Sequence, residues 1–73
     1  MSNMTVRTVP YGQVFTLKND IEQNELIKVE LHLSIFGQRI VTSGFIHYDE
    51  PGEVYAIDAG FGVDFDDEVV IPE

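Results

Sequence analysis

The sequence predicts a small all-β protein, and three observations support that class. Apolar and polar residues alternate with a period of two over long stretches. Glycine and proline stand between these stretches at positions typical of tight turns. The chain has 73 residues, of which 44% are hydrophobic, so it suits one domain and is too apolar for a disordered acidic tail. We therefore expect residues 1–73 to form a single small β domain.

The clearest predicted strand covers residues 26–36. Its alternate apolar residues are Ile27, Val29, Leu31, Leu33 and Ile35. Lys, Glu, His and Ser stand between them, so one face of the strand is apolar and the other is polar. A helix would spread these apolar residues around its axis instead of placing them in one stripe. We expect the apolar face to be the buried one.

Two turns extend this strand into a three-stranded antiparallel meander. Gly37 suits the first position of a two-residue hairpin loop, which would pair Ile35 with Ile40. Pro51-Gly52 is typical of a second turn, with proline and glycine at its central positions. Both turns keep the same face apolar, and this agreement favours the assignment. The meander is predicted at residues 26–36, 39–49 and 53–64.

The predicted register gives Gly44 and Phe45 different surroundings. Gly44 lies opposite Ala59 on the apolar face, where two small residues indicate close packing or a bend. Phe45 lies on the polar face between Glu30 and Asp58. An aromatic side chain there would be an exposed anchor for a binding partner. The alternative is that the N-terminal strand or the C-terminal segment covers it.

Both ends of the chain are less regular than the meander. Residues 11–18 are predicted to form a strand, residues 5–9 a short edge strand, residues 19–25 one helical turn, and residues 65–71 a last strand. The buried face of the strand at 11–18 is either Phe15, Leu17 and Tyr11, or Val14. These N- and C-terminal strands complete a curled sheet or a small barrel. An SH3-like barrel, an OB-like barrel and a two-chain sandwich closed by dimerisation all fit the pattern.

All of the excess negative charge lies in the second half of the chain. Residues 1–39 contain four basic and four acidic residues, whereas residues 40–73 contain nine acidic residues and no Lys or Arg, so this half carries 0 − 9 = −9. A field of one sign attracts cations and basic surfaces and repels nucleic acid and anionic lipid. We therefore expect a basic protein partner, and neither direct nucleic-acid binding nor membrane binding.

The acidic run at residues 64–68 is the sharpest candidate site. In an extended chain, Asp64, Asp66 and Glu68 share one side at intervals of about 6.8 Å, because a strand rises about 3.4 Å per residue. This spacing is similar in scale to that of phosphates along a nucleic-acid strand. Such a row would fit a groove lined by Lys and Arg. The alternative is a solvated acidic segment that keeps a small protein in solution.

Together the candidates define a predicted partner-binding surface, with Phe45 or Tyr55 as the apolar anchor. Its residues are Phe45, Asp49, Glu50, Glu53, Asp58, Asp64, Asp66, Asp67 and Glu68. The anchor would supply buried area, and the carboxylates would speed encounter with a basic partner and make binding sensitive to salt.

Signals for catalysis and metal binding are weak. His32 and Ser43 lie opposite each other in the predicted register, but no third group orients the imidazole as a catalytic triad requires. The chain has no cysteine and two histidines, and its acidic run lacks the central glycine of a calcium loop. We expect a non-enzymatic protein with no catalytic residues, no metal ligands and no cofactor.

Two functions remain open from the sequence. Being tiny, acidic, free of cysteine and rich in β-strands, the chain resembles in composition many virus- or plasmid-encoded inhibitors of nucleic-acid-handling enzymes. That resemblance implies inhibition of a basic partner by an acidic surface. The alternative is a small structural or assembly module that forms a homodimer or acts through sheet edges. Residues 1–20 lack the apolar core of a signal peptide, so a cytoplasmic location is expected.

Overall fold

The computed structural model describes residues 4–72, which form an open, five-stranded antiparallel sheet. A short 3₁₀ helix at Val6–Thr8 precedes the strands. The strands are β1 (Val14–Leu17), β2 (Leu26–Ile35), β3 (Gln38–His47), β4 (Tyr55–Ala56) and β5 (Val69–Val70). Their order across the sheet is β4-β3-β2-β1-β5. The all-β prediction is confirmed, and because the sheet does not close, the curled-sheet alternative is the correct one.

The β2–β3 hairpin has the predicted strands but a register shifted by two residues. Ile35 pairs with Gln38 and not with Ile40. The loop consists of Phe36 and Gly37, whose φ angles of 51° and 77° are both positive. Two positive φ values are the mark of a type I′ loop, whose twist matches that of the flanking strands. Because the shift is even, each side chain keeps its predicted face while its cross-strand partner changes.

The third predicted strand, 53–64, is wrong in length and in register. Only Tyr55 and Ala56 pair with β3, where Gly44 faces Ala56 and Phe45 faces Tyr55. The predicted partner of Gly44 was Ala59, so the shift is three residues. An odd shift exchanges the faces of the strand, and Tyr55 therefore shares the face of Phe45.

Residues 57–63 leave the sheet as a loop and do not continue β4. Asp58, Gly60 and Gly62 have φ angles of 64°, 87° and 88°, which an extended strand does not allow. The loop folds back over the sheet, and a backbone hydrogen bond of 2.7 Å from Asp58 to Val63 closes it. Gly60 and Gly62 therefore prevent the strand from continuing.

The terminal segments differ from their predicted structures in three places. Residues 5–9 form the 3₁₀ helix and not an edge strand, and the backbone of residues 4–7 bonds to residues 65–69. Residues 19–25 form a loop of turns without a helix. The last strand is only Val69–Val70. The strand predicted at 11–18 exists as Val14–Leu17, with Phe15 buried and Leu17 packed against the core.

The core lies on the opposite face of the sheet from the one predicted. Phe45 and Lys28 on the supposedly solvent-facing side are 3% and 5% exposed. On the apolar side, Leu33, Ile35 and Ile40 are 36%, 44% and 41% exposed. The reason is that irregular segments pack over the face that carries Phe45. They contribute the buried residues Val6, Val9, Ile57 and Val63.

Lys28 is accepted in this core because its ammonium group has partners. Its Nζ atom donates a 3.1 Å hydrogen bond to the carbonyl oxygen of Arg7 and lies 5.3 Å from the ring centre of Tyr11. The aliphatic stem of a lysine packs like an apolar side chain while its charged end reaches a polar group. Lys28 thus links the sheet to the N-terminal 3₁₀ helix. Its polarity is the reason why this face of β2 was predicted to be exposed.

Candidate functional site

A cleft of about 490 Å³ opens on the core face of the sheet. Its apolar floor contains one residue from each of three adjacent strands, and a loop residue completes it. These residues are Leu17, Leu26, Phe45 and Val63. The shortness of β1 and β4 leaves room for the cleft, because neither strand runs the full length of the central hairpin.

Aromatic rings form one wall of the cleft. Phe45 and Tyr55 stack with ring centres 5.4 Å apart, and Tyr55 contacts Phe61 at 5.2 Å and His47 at 6.0 Å. Phe45 and His47 stand two residues apart on β3 and so share a face, and Tyr55 joins them because it pairs with Phe45. Phe61, which is 55% exposed, gives the wall an accessible outer surface.

The phenol of Tyr55 has a fixed position at the edge of this wall. Its hydroxyl donates a 2.9 Å hydrogen bond to the carboxylate of Glu53. This bond and the negative charge of the acceptor raise the pKa of Tyr55. The ring therefore stays neutral and keeps its face toward the cleft across the physiological pH range.

Carboxylates also line the cleft and form its acidic rim. Asp20 accepts hydrogen bonds from the backbone N–H groups of Asn24 and Glu22, and these bonds lower the pKa of Asp20. Asp67 accepts a 2.9 Å bond from the backbone N–H of Asp64. Within residues 4–72, neither Asp20 nor Asp67 forms an ion pair with Lys or Arg. Both keep an unbalanced negative charge at the rim.

The third rim carboxylate, Glu68, forms an ion pair. Its oxygen lies 2.9 Å from Lys18 Nζ, and both side chains are partly exposed. An exposed pair of this kind contributes at most about 1 kcal/mol to stability. Glu68 is therefore free to exchange Lys18 for a cation of a binding partner at small cost.

The predicted row of extended carboxylates does not form. Residues 64–67 make a turn, in which the N–H of Asp67 donates to the carbonyl oxygen of Asp64. Asp66 points to Arg7 instead, at 3.3 Å. The spacing of about 6.8 Å expected of a strand does not apply to a turn. The run instead gathers its carboxylates into a cluster.

The carboxylate cluster contains Asp58, Asp64, Asp66 and Asp67. Asp64 loses part of its hydration there and faces Asp58 most closely, with Asp67 and Asp66 beyond it, and these influences together raise the pKa of Asp64. The cause is the turn at residues 64–67 together with the loop at 57–63, which brings Asp58 back to this point. The cluster lies beside Asp67 and extends the negative charge of the cleft rim.

Replacing Asp64 by asparagine should stabilise the fold at pH 7. A raised pKa means that the folded state binds the proton of Asp64 more tightly than the unfolded state, whose value is near 3.8. The stabilising contribution of protonated Asp64 is therefore fully present below its unfolded pKa. This contribution is lost as the pH rises through the folded pKa of Asp64. Urea denaturation should show a higher midpoint for Asp64→Asn at pH 7 and a smaller difference at pH 3.5.

Asp20→Asn is the matched control for this experiment, because the pKa of Asp20 is lowered. Its stabilising contribution is present above the unfolded pKa and is lost as the pH falls through the folded value. The two variants should therefore change the urea midpoint in opposite directions at pH 7. A lower midpoint for Asp64→Asn at pH 7 would contradict the raised pKa.

The structure separates the predicted partner-binding residues into four groups. Asp58, Asp64 and Asp66 belong to the carboxylate cluster beside the rim. Phe45 lies at the floor of the cleft and is not an exposed anchor. Asp67 and Glu68 stand at the rim. Asp49, Glu50 and Glu53 belong to the loop between β3 and β4, which lines a separate hollow beside His47.

Among the cleft residues that were absent from the predicted set, three have a charged or aromatic side chain: Asp20, His47 and Phe61. For His47 a signal existed, since it stands two residues from Phe45 on one strand face. Phe61 stands between two glycines and reaches the wall only through the loop at 57–63. No local pattern marks Asp20.

The predicted opposition of His32 and Ser43 is not found. His32 pairs with Val41, and Ser43 pairs with Glu30, because the hairpin register is shifted. The hydroxyl of Ser43 bonds to the hydroxyl of Tyr11 at 2.9 Å, and His32 lies 3.4 Å from Glu30. The two side chains face different partners and do not form a nucleophile–base pair.

No family model, no curated protein and no solved structure matches this chain. Among residues 4–72, no group of three or more His, Cys, Asp or Glu side chains is placed to hold a metal ion. The same part of the chain has no helix that is long and apolar enough to cross a membrane. The geometry of the cleft is therefore the basis for a functional proposal.

Proposed function

We propose that the protein is a non-enzymatic binding protein that takes a Lys or Arg side chain of a basic partner into the cleft. One observation carries the proposal: aromatic rings, carboxylates and apolar side chains together line one cavity. A cationic side chain with an aliphatic stem matches all three surfaces at once.

Each surface of the cleft has a distinct effect on such a ligand. The aromatic wall attracts a cation through the ring quadrupole, which contributes about 0.5–2 kcal/mol. The carboxylates of Asp20 and Asp67 accept charge-assisted hydrogen bonds, which are stronger than bonds between neutral groups. The stem of the ligand packs on the floor formed by Leu17, Leu26 and Val63. An anion would meet repulsion at the same rim.

The charge of the whole chain directs basic partners toward this cleft. The net charge of −9 and the carboxylate cluster beside the rim create a field that accelerates association with a positive surface. Surfaces that bind the phosphates of nucleic acids are basic because they attract negative charge. A chain that occupies such a surface would keep the nucleic acid away and so inhibit the partner. The proposal therefore includes inhibition by an acidic surface that mimics nucleic acid.

The exposed aromatic residue of the wall gives a direct test. We expect Phe61→Ala to weaken binding of a fluorescent decalysine peptide about tenfold, which equals about 1.4 kcal/mol. Tyr48→Ala is the control, because Tyr48 is 53% exposed, close to the 55% of Phe61, and does not line the cleft. Fluorescence anisotropy at two salt concentrations measures both affinities, with an uncharged peptide of equal length as the reference ligand.

The rim is tested by conservative replacement of a carboxylate. Asp67→Asn keeps the oxygen that accepts the N–H of Asp64 and removes the charge, so binding should weaken while the fold stays intact. Glu22→Gln removes one charge from the neighbouring loop outside the cleft. If Asp67→Asn and Glu22→Gln lose affinity equally, only a general effect of net charge remains. If Phe61→Ala and Tyr48→Ala bind the peptide with equal affinity, the cleft is not the binding site.

A further inference from the structure

The outer half of the β2–β3 hairpin extends beyond its neighbouring strands. This arm, residues 29–43, has no strand partner on either side among residues 4–72, because β1 pairs with Leu26 and Ile27 and β4 pairs with Gly44 and Phe45. Backbone hydrogen bonds mark its base: Lys28 bonds to both Gly12 and Gln13, and Ser43 accepts one bond from Ile57. The long dimension of the molecule, 42 Å against 27 and 21 Å for the others, is consistent with such a projection.

One face of the arm is apolar and open. Leu33, Ile35 and Ile40 are 36%, 44% and 41% exposed, and Leu31 beside them is half-buried. Phe36 at the tip is fully exposed. Isolated apolar residues are common on protein surfaces, whereas a continuous apolar face on a projecting hairpin marks an interface. Gln38 and Thr42 are the polar members of this face. The other face carries Glu30, His32, Ser34 and Arg39, with Val41 as its exposed apolar residue.

We propose that this apolar face binds the same face of a second copy of the chain, with the two arms antiparallel. The proposal goes beyond the function of the cleft, which lies on the opposite side of the sheet and stays open in such a dimer. It concerns the arm alone, so it can be tested independently of any cationic ligand.

The distribution of charge is the first argument for a second copy. Glu30 and Arg39 are the arm's acidic and basic residues, so its net charge is zero. The other residues of 4–72 contain 11 acidic and three basic residues, a net charge of 3 − 11 = −8. Two copies can therefore meet through their arms without repulsion there. Any contact through the rest of the molecule would bring two strongly negative surfaces together.

The distribution of charge also sets the orientation of the arms. Parallel arms would place the two acidic bodies side by side. Antiparallel arms separate the bodies by about the length of the arm, which is about seven residues per strand or roughly 24 Å. That distance is several times the Debye length of about 8 Å at physiological ionic strength. Repulsion between the bodies is then screened, and the contact is isologous, as in most homodimers.

The size of the face is suited to a reversible dimer. The two strands of the arm, each roughly 24 Å long, about 4.8 Å apart and flanked by their side chains, present a face roughly 10 Å wide. A pair of such faces, extended by Phe36 at each tip, buries somewhat less than about 1,000 Å² of accessible surface, which is the range of weak, transient contacts. We therefore expect monomer and dimer to exchange in the micromolar range.

Sedimentation velocity of the full chain between about 5 and 500 µM tests the proposal through mass action. The weight-average sedimentation coefficient should rise from the monomer to the dimer value. Ile40→Lys should raise the dissociation constant at least about tenfold, and Val41→Lys should change it by less than about threefold. These neighbouring residues are 41% and 51% exposed and lie on opposite faces of the arm, so the control adds the same charge at a similar exposure.

The orientation is tested with a single spin label at the tip, since the chain has no cysteine of its own. In the dimer, Gln38→Cys labels should lie roughly 24 Å apart if the arms are antiparallel. Tip labels closer than about 12 Å would indicate parallel arms and overturn this arrangement. A monomer at every concentration, or equal weakening by Ile40→Lys and Val41→Lys, would overturn the proposed interface. Far-ultraviolet circular dichroism confirms that each variant is folded.

Discussion

Replacing Phe15 with alanine should remove roughly half of the stability of the protein. Phe15 is fully buried and lies in the cluster that joins β1 to the rest of the core. Truncating a buried phenylalanine costs about 3–5 kcal/mol through lost apolar burial and the cavity left behind. A chain of 73 residues has a total stability of roughly 4–11 kcal/mol at about 0.05–0.15 kcal/mol per residue. The urea midpoint of the variant should therefore fall to about half of its original value.

Urea denaturation followed by circular dichroism measures this effect, and Phe36→Ala is the matched control. Phe36 is fully exposed at the hairpin tip, so its truncation should change stability by no more than about 0.5 kcal/mol. Similar losses for the two variants would show that the core does not lie on the face of the sheet that carries Phe45. The arm proposal adds that Phe36→Ala should also weaken the dimer.

The second large effect is expected at Gly44, where β3 and β4 approach closely. A methyl group on Gly44 would lie 2.9 Å from the carbonyl oxygen of Tyr55 and 3.2 Å from Val54 Cγ1. The backbone atom cannot move without shifting β4, so Gly44→Ala should destabilise the fold by about 1–3 kcal/mol. Because Tyr55 stands at the centre of the aromatic wall, decalysine binding should weaken as well.

Gly52→Ala provides the comparison for this prediction. Gly52 has open space around its Cα, and its φ angle is not positive, so alanine fits there without strain. Removing a glycine at such a site stabilises slightly or is neutral, because it reduces the entropy of the unfolded chain. Thermal unfolding and peptide affinity of the two variants separate a local clash from a general effect of replacing glycine. Equal stability of the two variants would be contrary to the close approach at Gly44.

The strands of the central hairpin were predictable because alternation is a local property. The predicted ranges 26–36 and 39–49 agree with β2 and β3 to within two residues at every end. The loop was not placed correctly, because a bulky residue such as Phe36 rarely adopts positive φ and Gly37 was assigned the first position. The close packing at Gly44 was predicted correctly, but with Ala59 as its partner where the structure has Ala56.

The buried face was not predictable from alternation. Ile27 and Leu31 make the opposite face of β2 more apolar, yet the core forms where other segments cover the sheet. Those segments are a 3₁₀ helix and a glycine-bearing loop, and neither leaves a periodic pattern in the sequence. Lys28 appears polar in the sequence and is buried because a carbonyl group and an aromatic ring receive its ammonium group.

The candidate site was predictable only in part for the same reason. Asp67 and Glu68 were in the predicted set because charge is visible in the sequence, and Tyr55 was considered as an anchor. The cleft that joins them to Phe61 depends on contacts between residues distant along the chain, and these follow from the loop at 57–63. Electrostatic character could thus be inferred from composition, whereas the shape of the cavity required the fold.

Chemical-shift mapping by nuclear magnetic resonance tests the central claim most directly. The ¹⁵N-labelled chain is titrated with decalysine, and the amide shifts are followed residue by residue. We expect the largest shifts at His47, Tyr55, Phe61 and Asp67, and we expect these shifts to saturate as decalysine is added. Phe61→Ala should remove this saturation, whereas Tyr48→Ala should not. Shifts confined to the arm, or spread evenly over all surface carboxylates without saturation, would contradict a cation-binding cleft.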